Sequence, residues 1–394
     1  MKQYFLPVWG RSRFEAAKKD VGIKHWWDEP PLHYGHSLFS YVHWGKLPPR
    51  QRTMRESWAP PKGCYIFGDS GGFTLRGGLS VKRIQTKSNY APRTIDQYKL
   101  DPVSVLKWQI SICTVGCVLD LPPKGHKRRL WEKGLDVTAA NTQRGLATYE
   151  KARAKGTKYR WWGVIHGNNP QEQEEYYRRI ANVYPFTDQG EGWTIRAEPQ
   201  VDTNTVASTL RLVKRLGIKR LHLLAATGQE VAAVIFALGP ESGLEVVSYD
   251  SAYAIKAGFN RQIFVRTEPG AYKWEILKEE GKEKHVREHL TSICECEACL
   301  WMRVRSQETK KGVMATVKGK DFGGWWSTWC QLHNLYIQQH LLEEQYQASQ
   351  ADPEKFLEVM LGHSTASIVQ RIYAGQQPAA IVATGSERSL LEWA

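Results

Sequence analysis

The sequence predicts an α/β protein, a closed (β/α)8 barrel with a zinc-binding subdomain near its C-terminus. Three observations carry that reading. From residue 64 onward, short apolar runs ending in polar residues recur: CYIFGDS, TVGCVLDLPP, YRWWGVIHG, GWTIRAEP, RLHLLAATG and LEVVSYDS. Segments of helical spacing lie between several of these runs, and strands alternating with helices at this interval imply parallel βα units. After about residue 260 the alternation stops and CECEAC, residues 294–299, brings metal-type cysteine spacing. With about eight units, a closed barrel is more economical than an open sheet, and its site lies at the C-terminal strand ends.

Taken in order, YFLPVW (4–9) reads as the first strand. HYGHSLFSYVHW (33–44) reads as a segment near a site or a buried aromatic turn, in which His36 and Trp44 either line a pocket or pack. CYIF (64–67) is a strand that carries Asp69 to its tip. Gly71 and Gly72 follow, so the chain can turn tightly there and turn its N–H groups to a ligand; an ordinary turn is the plainer reading of the same residues. The helical stretches are 141–155, 171–184, 205–217 and 229–239. Asp69, Asp120, His166 and Asp250 all fall at the ends of predicted strands, four polar side chains on one rim.

The organisation that follows is a catalytic barrel over 1–280, including the aromatic-rich N-terminal segment, a zinc-binding subdomain over 281–346 and a helical tail over 347–394. In the tail, Pro353 and Pro378 are breaks and residues 354–375 form a helix. Cys294, Cys296 and Cys299 form C-x-C-x-x-C, and His333 supplies an imidazole downstream. Three thiolates and an imidazole fill a tetrahedral shell, so the expected Zn2+ is structural. Cys330, one helical turn before His333, is a rival fourth ligand. An odd total of seven cysteines argues against a disulfide framework.

Composition narrows the partners. A hydrophobic content of 42% excludes general disorder, and 54 Lys and Arg against 40 Asp and Glu give a net charge of +14. That charge favours a polyanion such as nucleic acid. Phosphate contacts are expected from Lys124, Lys127, Arg128 and Arg129, and from Arg303, Arg305, Lys310 and Lys311, although a charge run is also an ordinary solvated face. Pro7 and Arg11 interrupt the N-terminus before a signal peptide could form, and no 18-residue apolar segment occurs. A cytoplasmic protein without a membrane partner is expected.

GDSGGF, a later strand-end aspartate, and CxCxxC with His333-Asn334 downstream, in that order, resemble the tRNA-guanine transglycosylase superfamily. That family is similar to a TIM barrel carrying a zinc subdomain, and the resemblance covers roughly residues 60–340. VLD (118–120) falls where the family has a guanine-reading aspartate, GVIHG (163–167) where it has a VQGG-like turn, and LHLLAATG where it has an LMGVG-like strand. Two departures stand out: His166 replaces a glutamine, and SAYA follows Asp250 in place of PTR.

The stretch between Cys299 and His333 is also longer and more basic than in the tRNA enzymes. Such divergence resembles the 7-deazaguanine DNA transglycosylase branch of bacterial and phage DNA-modification systems. The resemblance implies exchange of guanine in DNA for a free base such as 7-cyano-7-deazaguanine, in the host cytoplasm for a phage protein, with a homodimer among the allowed assemblies. It implies Asp250 as nucleophile and Asp69 as general acid/base, with Ser70, Gly71, Gly72, Asp120 and His166 around the base. A tRNA enzyme of the same family and a non-catalytic nucleic-acid-binding homologue are the other readings.

Overall fold

Eight strands pair in one all-parallel sheet in the computed structural model, in the order β1-β8-β7-β6-β5-β4-β3-β2. The structure describes residues 1–7, 36–41, 64–72, 100–122, 128–167, 169–197, 202–224, 226, 228–268, 271–277, 284–308 and 325–376. The strands are β1 (Lys2–Pro7), β2 (Ser37–Ser40), β3 (Ile66–Asp69), β4 (Val115–Cys117), β5 (Arg160–Gly167), β6 (Gly192–Ala197), β7 (Arg220–Leu223) and β8 (Val246–Ser251). The last strand returns to pair with the first, Lys2 opposite Val246 and Leu6 opposite Asp250. β1 also packs beside β2, so the sheet curls into a nearly closed barrel, with no ladder between those two strands among the described residues.

Helices cover the outside: α1 (Pro102–Ile112), α2 (Arg128–Ala154), α3 (Pro170–Ala181), α4 (Thr203–Leu216), α5 (Gln229–Leu238) and α6 (Tyr253–Phe259). Their starts are written locally. Asp101, Asn169 and Asp202 each accept a first-turn N–H with the side chain, and prolines open α1 and α3 where no backbone donor is needed. Both faces of the sheet are covered, which is why β5, RWWGVIHG, is apolar almost throughout and buried from Trp161 to Gly167.

Three local expectations change. SLFS is a strand, β2, because it gains a parallel partner in β3 with Ser40 opposite Asp69; four residues are too few for a period-two pattern to stand out. β4 ends at Cys117, so Asp120 lies beyond the strand on a loop. There Asn141 of α2 donates to the Leu119 carbonyl at 2.9 Å and Thr138 accepts from Leu121 N–H at 3.1 Å. The helix expected at 354–375 is two, α10 (Pro353–Leu361) and α11 (His363–Ala374), broken where Gly362 takes a positive φ of 79°.

The C-terminal region contains a small antiparallel pair, β9 (Ile263–Arg266) and β10 (Trp274–Leu277). A short helix α7 (Lys284–Glu288) runs into a π-helical turn (His289–Ile293), and α8 (Glu297–Glu308) and α9 (Trp325–Ala351) follow. α9 packs against α5 and α6, α10 against α5, and α11 against α4. Asn334 is the main clasp: its side chain accepts from Phe264 N–H at 2.8 Å and donates to the carbonyls of Ala254 and Gln262.

Beneath the β3–β4 edge, Gln109 is fully buried. Its Nε2 donates to Gly68 O at 2.7 Å and Cys117 O at 2.9 Å, and its Oε1 accepts from Tyr159 OH at 2.9 Å. No water reaches these groups, so each needs that amide. Gln109→Leu is expected to destabilise the protein by about 3 kcal/mol, read as a lower urea midpoint, because it strands two carbonyls and a phenol. An unchanged midpoint would show that this amide is dispensable.

Candidate active site and metal centre

At the C-terminal end of the barrel, β3 and β8 present Asp69 and Asp250, and the loop after β4 brings in Asp120. The turn after Asp69 makes this approach possible. Gly71 has φ of 81°, in the left-handed region, and a Cβ on Gly72 would lie 2.4 Å from both the carbonyl oxygen and Oδ1 of Asp120. Only glycine lets the DSGG backbone rest on the Asp120 loop.

Asp69 has a raised pKa. Burial raises its pKa, the carboxylates of Asp120 and Asp250 raise it further, and hydrogen bonds from Ser40 and the Gly71 N–H oppose them, leaving it at about 6. A carboxyl group at that value can hold or accept a proton near neutrality. Asp250 is 9% exposed, the next-to-last residue of β8.

Asp120 is held from two sides. Its Oδ1 accepts from the Ser70 hydroxyl at 2.8 Å, and its Oδ2 lies 2.7 Å from His166 Nε2. Ser70 also accepts from Gly72 N–H at 3.2 Å. The Ser70 hydroxyl and His166 Nε2, expected beside a bound base, are turned to Asp120. Both side chains are fully buried, and the Ser70 hydroxyl and His166 Nε2 orient that carboxylate, while His166 Nδ1 is buried with no hydrogen-bond partner among the described residues. Each Asp120 oxygen keeps a further lone pair for a ligand donor.

A residue that the sequence reading passed over joins this site. His222, in the middle of β7, is fully buried and stacks on Phe67 of β3 at 4.0 Å, a contact across the barrel interior. Its Nε2 lies 3.2 Å from Asp250 Oδ1 and its Nδ1 2.9 Å from Ser248 Oγ. The signal was a histidine between Leu221 and Leu223, since alternation turns it inward when the leucines face the helices. His36, by contrast, packs: its Nδ1 accepts from Tyr65 N–H at 2.7 Å and its ring meets Tyr4 edge-on. Trp44 lies outside the described residues.

The basic residues expected at phosphates are variously engaged. Arg128 pairs with Glu132 and Glu175 and lies over the Trp131 ring, while Arg129 is exposed at the start of α2. Arg303 turns inward to the carbonyls of Leu290 and Cys294, so it braces the cysteine loop rather than projecting as a free cation. Arg305 belongs to α8, with its side chain outside the description, and Lys124, Lys127, Lys310 and Lys311 lie outside the described residues.

The metal-type residues converge. Nδ1 of His333 lies 3.6, 3.5 and 3.4 Å from the sulfurs of Cys294, Cys296 and Cys299, and all four donor atoms lie within 4.8 Å of one another. That cluster can hold a metal ion, and Cys330, though buried, stands outside it. The other ring nitrogen, Nε2, meets the Phe264 carbonyl at 2.8 Å, which fixes the tautomer that turns Nδ1 to the sulfurs. Trp329 Nε1–H donates to Cys299 Sγ at 3.3 Å.

No protein-family model and no curated protein matches the chain. No helix among the described residues is long and apolar enough to cross a membrane.

Two outcomes are expected. Because the Asp69 pKa rises from 3.8 to about 6 on folding, its contribution to stability is present at low pH and is lost as pH rises through about 6. Asp69→Asn should therefore melt higher than wild type at pH 8, with the difference vanishing near pH 4; equal curves at both would show that the carboxyl is not perturbed. Elemental analysis should find one metal ion per chain, and chelation or His333→Ala should remove it and lower the melting temperature.

Proposed function

We propose that the protein is a base-exchange transglycosylase built on a TIM-type barrel, which replaces guanine in DNA with a 7-deazaguanine. The observation that carries this reading is the grouping of Asp69, Asp120 and Asp250 at one barrel mouth, with Asp69 at about 6. The order of the DSGG, strand-end aspartate and CxCxxC motifs supports it. Zinc is the proposed metal, since three thiolates and an imidazole make a closed tetrahedral shell without a position for substrate. When bound it supplies structural cross-linking of the C-terminal region.

The chain's own residues account for the exchange. Asp250 attacks C1′ of the target nucleotide, the C1′–N9 bond breaks with its electrons passing to the purine, and an aspartyl-glycosyl ester forms. Protonated Asp69 gives its proton to the departing guanine. The incoming 7-deazaguanine then loses its ring N–H proton to the Asp69 carboxylate and attacks C1′, and the Asp250 carboxylate is released. A single group with a pKa near neutrality serves both half-reactions.

Asp120, fixed by Ser70 and His166, accepts the adjacent N–H donors of the guanine edge through its remaining lone pairs. The Gly71 N–H is bonded to Asp69 and the Gly72 N–H to Ser70 Oγ, so this turn supports the site through its own side chains. A nucleotide stacked in a duplex cannot reach a barrel mouth, so it enters flipped out or from a single strand. The net charge of +14 serves the phosphates.

Nucleoside mass spectrometry tests the proposal, with purified protein, 7-cyano-7-deazaguanine and either guanine-containing DNA or tRNA. Modified deoxynucleoside in the DNA is expected, and Asp250→Asn should abolish it while leaving DNA affinity within about twofold. Product in tRNA alone would move the protein to the tRNA enzymes. Unimpaired turnover by Asp250→Asn would remove that residue from its role.

A further inference from the structure

We infer that His222 is a positioning residue for Asp250: its Nε2–H faces one carboxylate oxygen, Oδ1, and so orients the carboxylate for attack through the other, Oδ2. The inference rests on the transglycosylase reading of Asp250 as nucleophile. It starts from register. His222 pairs with Ser248 across the β7–β8 ladder, and Asp250 follows two residues later on the same face of β8. One imidazole therefore spans both side chains, 2.9 Å from Ser248 Oγ and 3.2 Å from Asp250 Oδ1.

The ring has little freedom. It is fully buried and stacked on Phe67 with 18° between the planes, so its nitrogens are aimed by packing. Electrostatics select the tautomer. With the proton on Nε2, the ring donates toward Asp250 and its Nδ1 lone pair accepts the Ser248 hydroxyl. With the proton on Nδ1, a bare lone pair would face the carboxylate, a repulsive contact in a site with little water. The Nε2 atom is within ion-pair distance of Oδ1 but off the line of a formed hydrogen bond. Such contacts tighten in a reacting complex.

The same donor serves both halves of the reaction. When Oδ2 bonds to C1′, Oδ1 becomes the ester carbonyl oxygen, and the Nε2–H continues to polarise it. That polarisation favours the second displacement, in which the C1′–Oδ2 bond breaks and its electron pair returns to the carboxylate. His222 touches neither the sugar nor the base, so its effect falls on the rate of ester formation and breakdown and not on substrate affinity.

The test compares His222→Phe, which keeps a ring against Phe67 without a donor, with His222→Gln, which restores an N–H. His222→Phe is expected to lower kcat by about 10- to 100-fold, the value of one hydrogen bond to a charged group, with KM for DNA and free base nearly unchanged. His222→Gln should recover part of that loss. Wild-type kcat in His222→Phe would overturn the inference, as would a kcat loss in both variants that follows their loss of folded protein. Nitrogen-15 NMR of labelled histidines reads the contact without any activity. The Nε2–H tautomer, with a proton resonance that moves upfield in Asp250→Ala, supports the inference; an Nδ1–H tautomer overturns it. If the wild type exchanges no base on any substrate, the transglycosylase reading fails, and the tautomer still decides whether His222 holds Asp250.

Discussion

Three carboxylates crowded at the barrel mouth, Asp120 and Asp250 buried and Asp69 half-buried, are the constraint around which this end of the molecule is arranged. A buried charge without donors is unstable, so each acid draws partners from neighbouring strands. Asp69 takes Ser40 from β2 and the Gly71 N–H from its own turn, Asp120 takes Ser70 and His166, and Asp250 faces His222 from β7. The rim is thereby laced by polar contacts from β2, β3, β5, β7 and β8. At Asp69 burial and the neighbouring carboxylates outweigh the donors and lift the acid toward neutrality.

The parts of the fold legible in the sequence were those written in local chemistry. Apolar runs gave β3, β5, β6, β7 and β8, and caps such as Asn169-Pro170 mark helix starts without reference to the rest of the chain. The spacing of Cys294, Cys296 and Cys299 pointed to a donor set, and the fold brings His333, not Cys330, to the three sulfurs, with its imidazole oriented by the Phe264 carbonyl. β2 was obscure because four residues acquire their meaning only from β3. The inward roles of Ser70, His166 and Arg303 were hidden for the same reason, since residue type indicates what a side chain can bond and not which way it faces. His222 had a visible signal, a polar residue inside an apolar strand, outweighed by the aspartates at the strand ends.

The metal-type cluster is joined to the barrel through two consecutive residues. His333 faces the three sulfurs and the Phe264 carbonyl, while Asn334 binds the backbone of β9 and the end of α6, the helix that directly follows Asp250. These two residues thus link the cysteine loop by direct hydrogen bonds to the segment that follows the Asp250 strand. Arg303, by gripping Leu290 and Cys294 carbonyls, ties the π-helical turn into the same unit.

Pairing between β1 and β8 has a consequence for how the chain is made. β1, the first of the eight barrel strands in chain order, bonds to β8, the last of them, and the Tyr346 hydroxyl meets the Met1 carbonyl. During synthesis β1 has no permanent neighbour on its β8 side, and an apolar edge of that kind can recruit other nascent chains. Vectorial folding can assemble the middle of the barrel early, but β1 gains its β8 neighbour only once the chain has been made past Ser251.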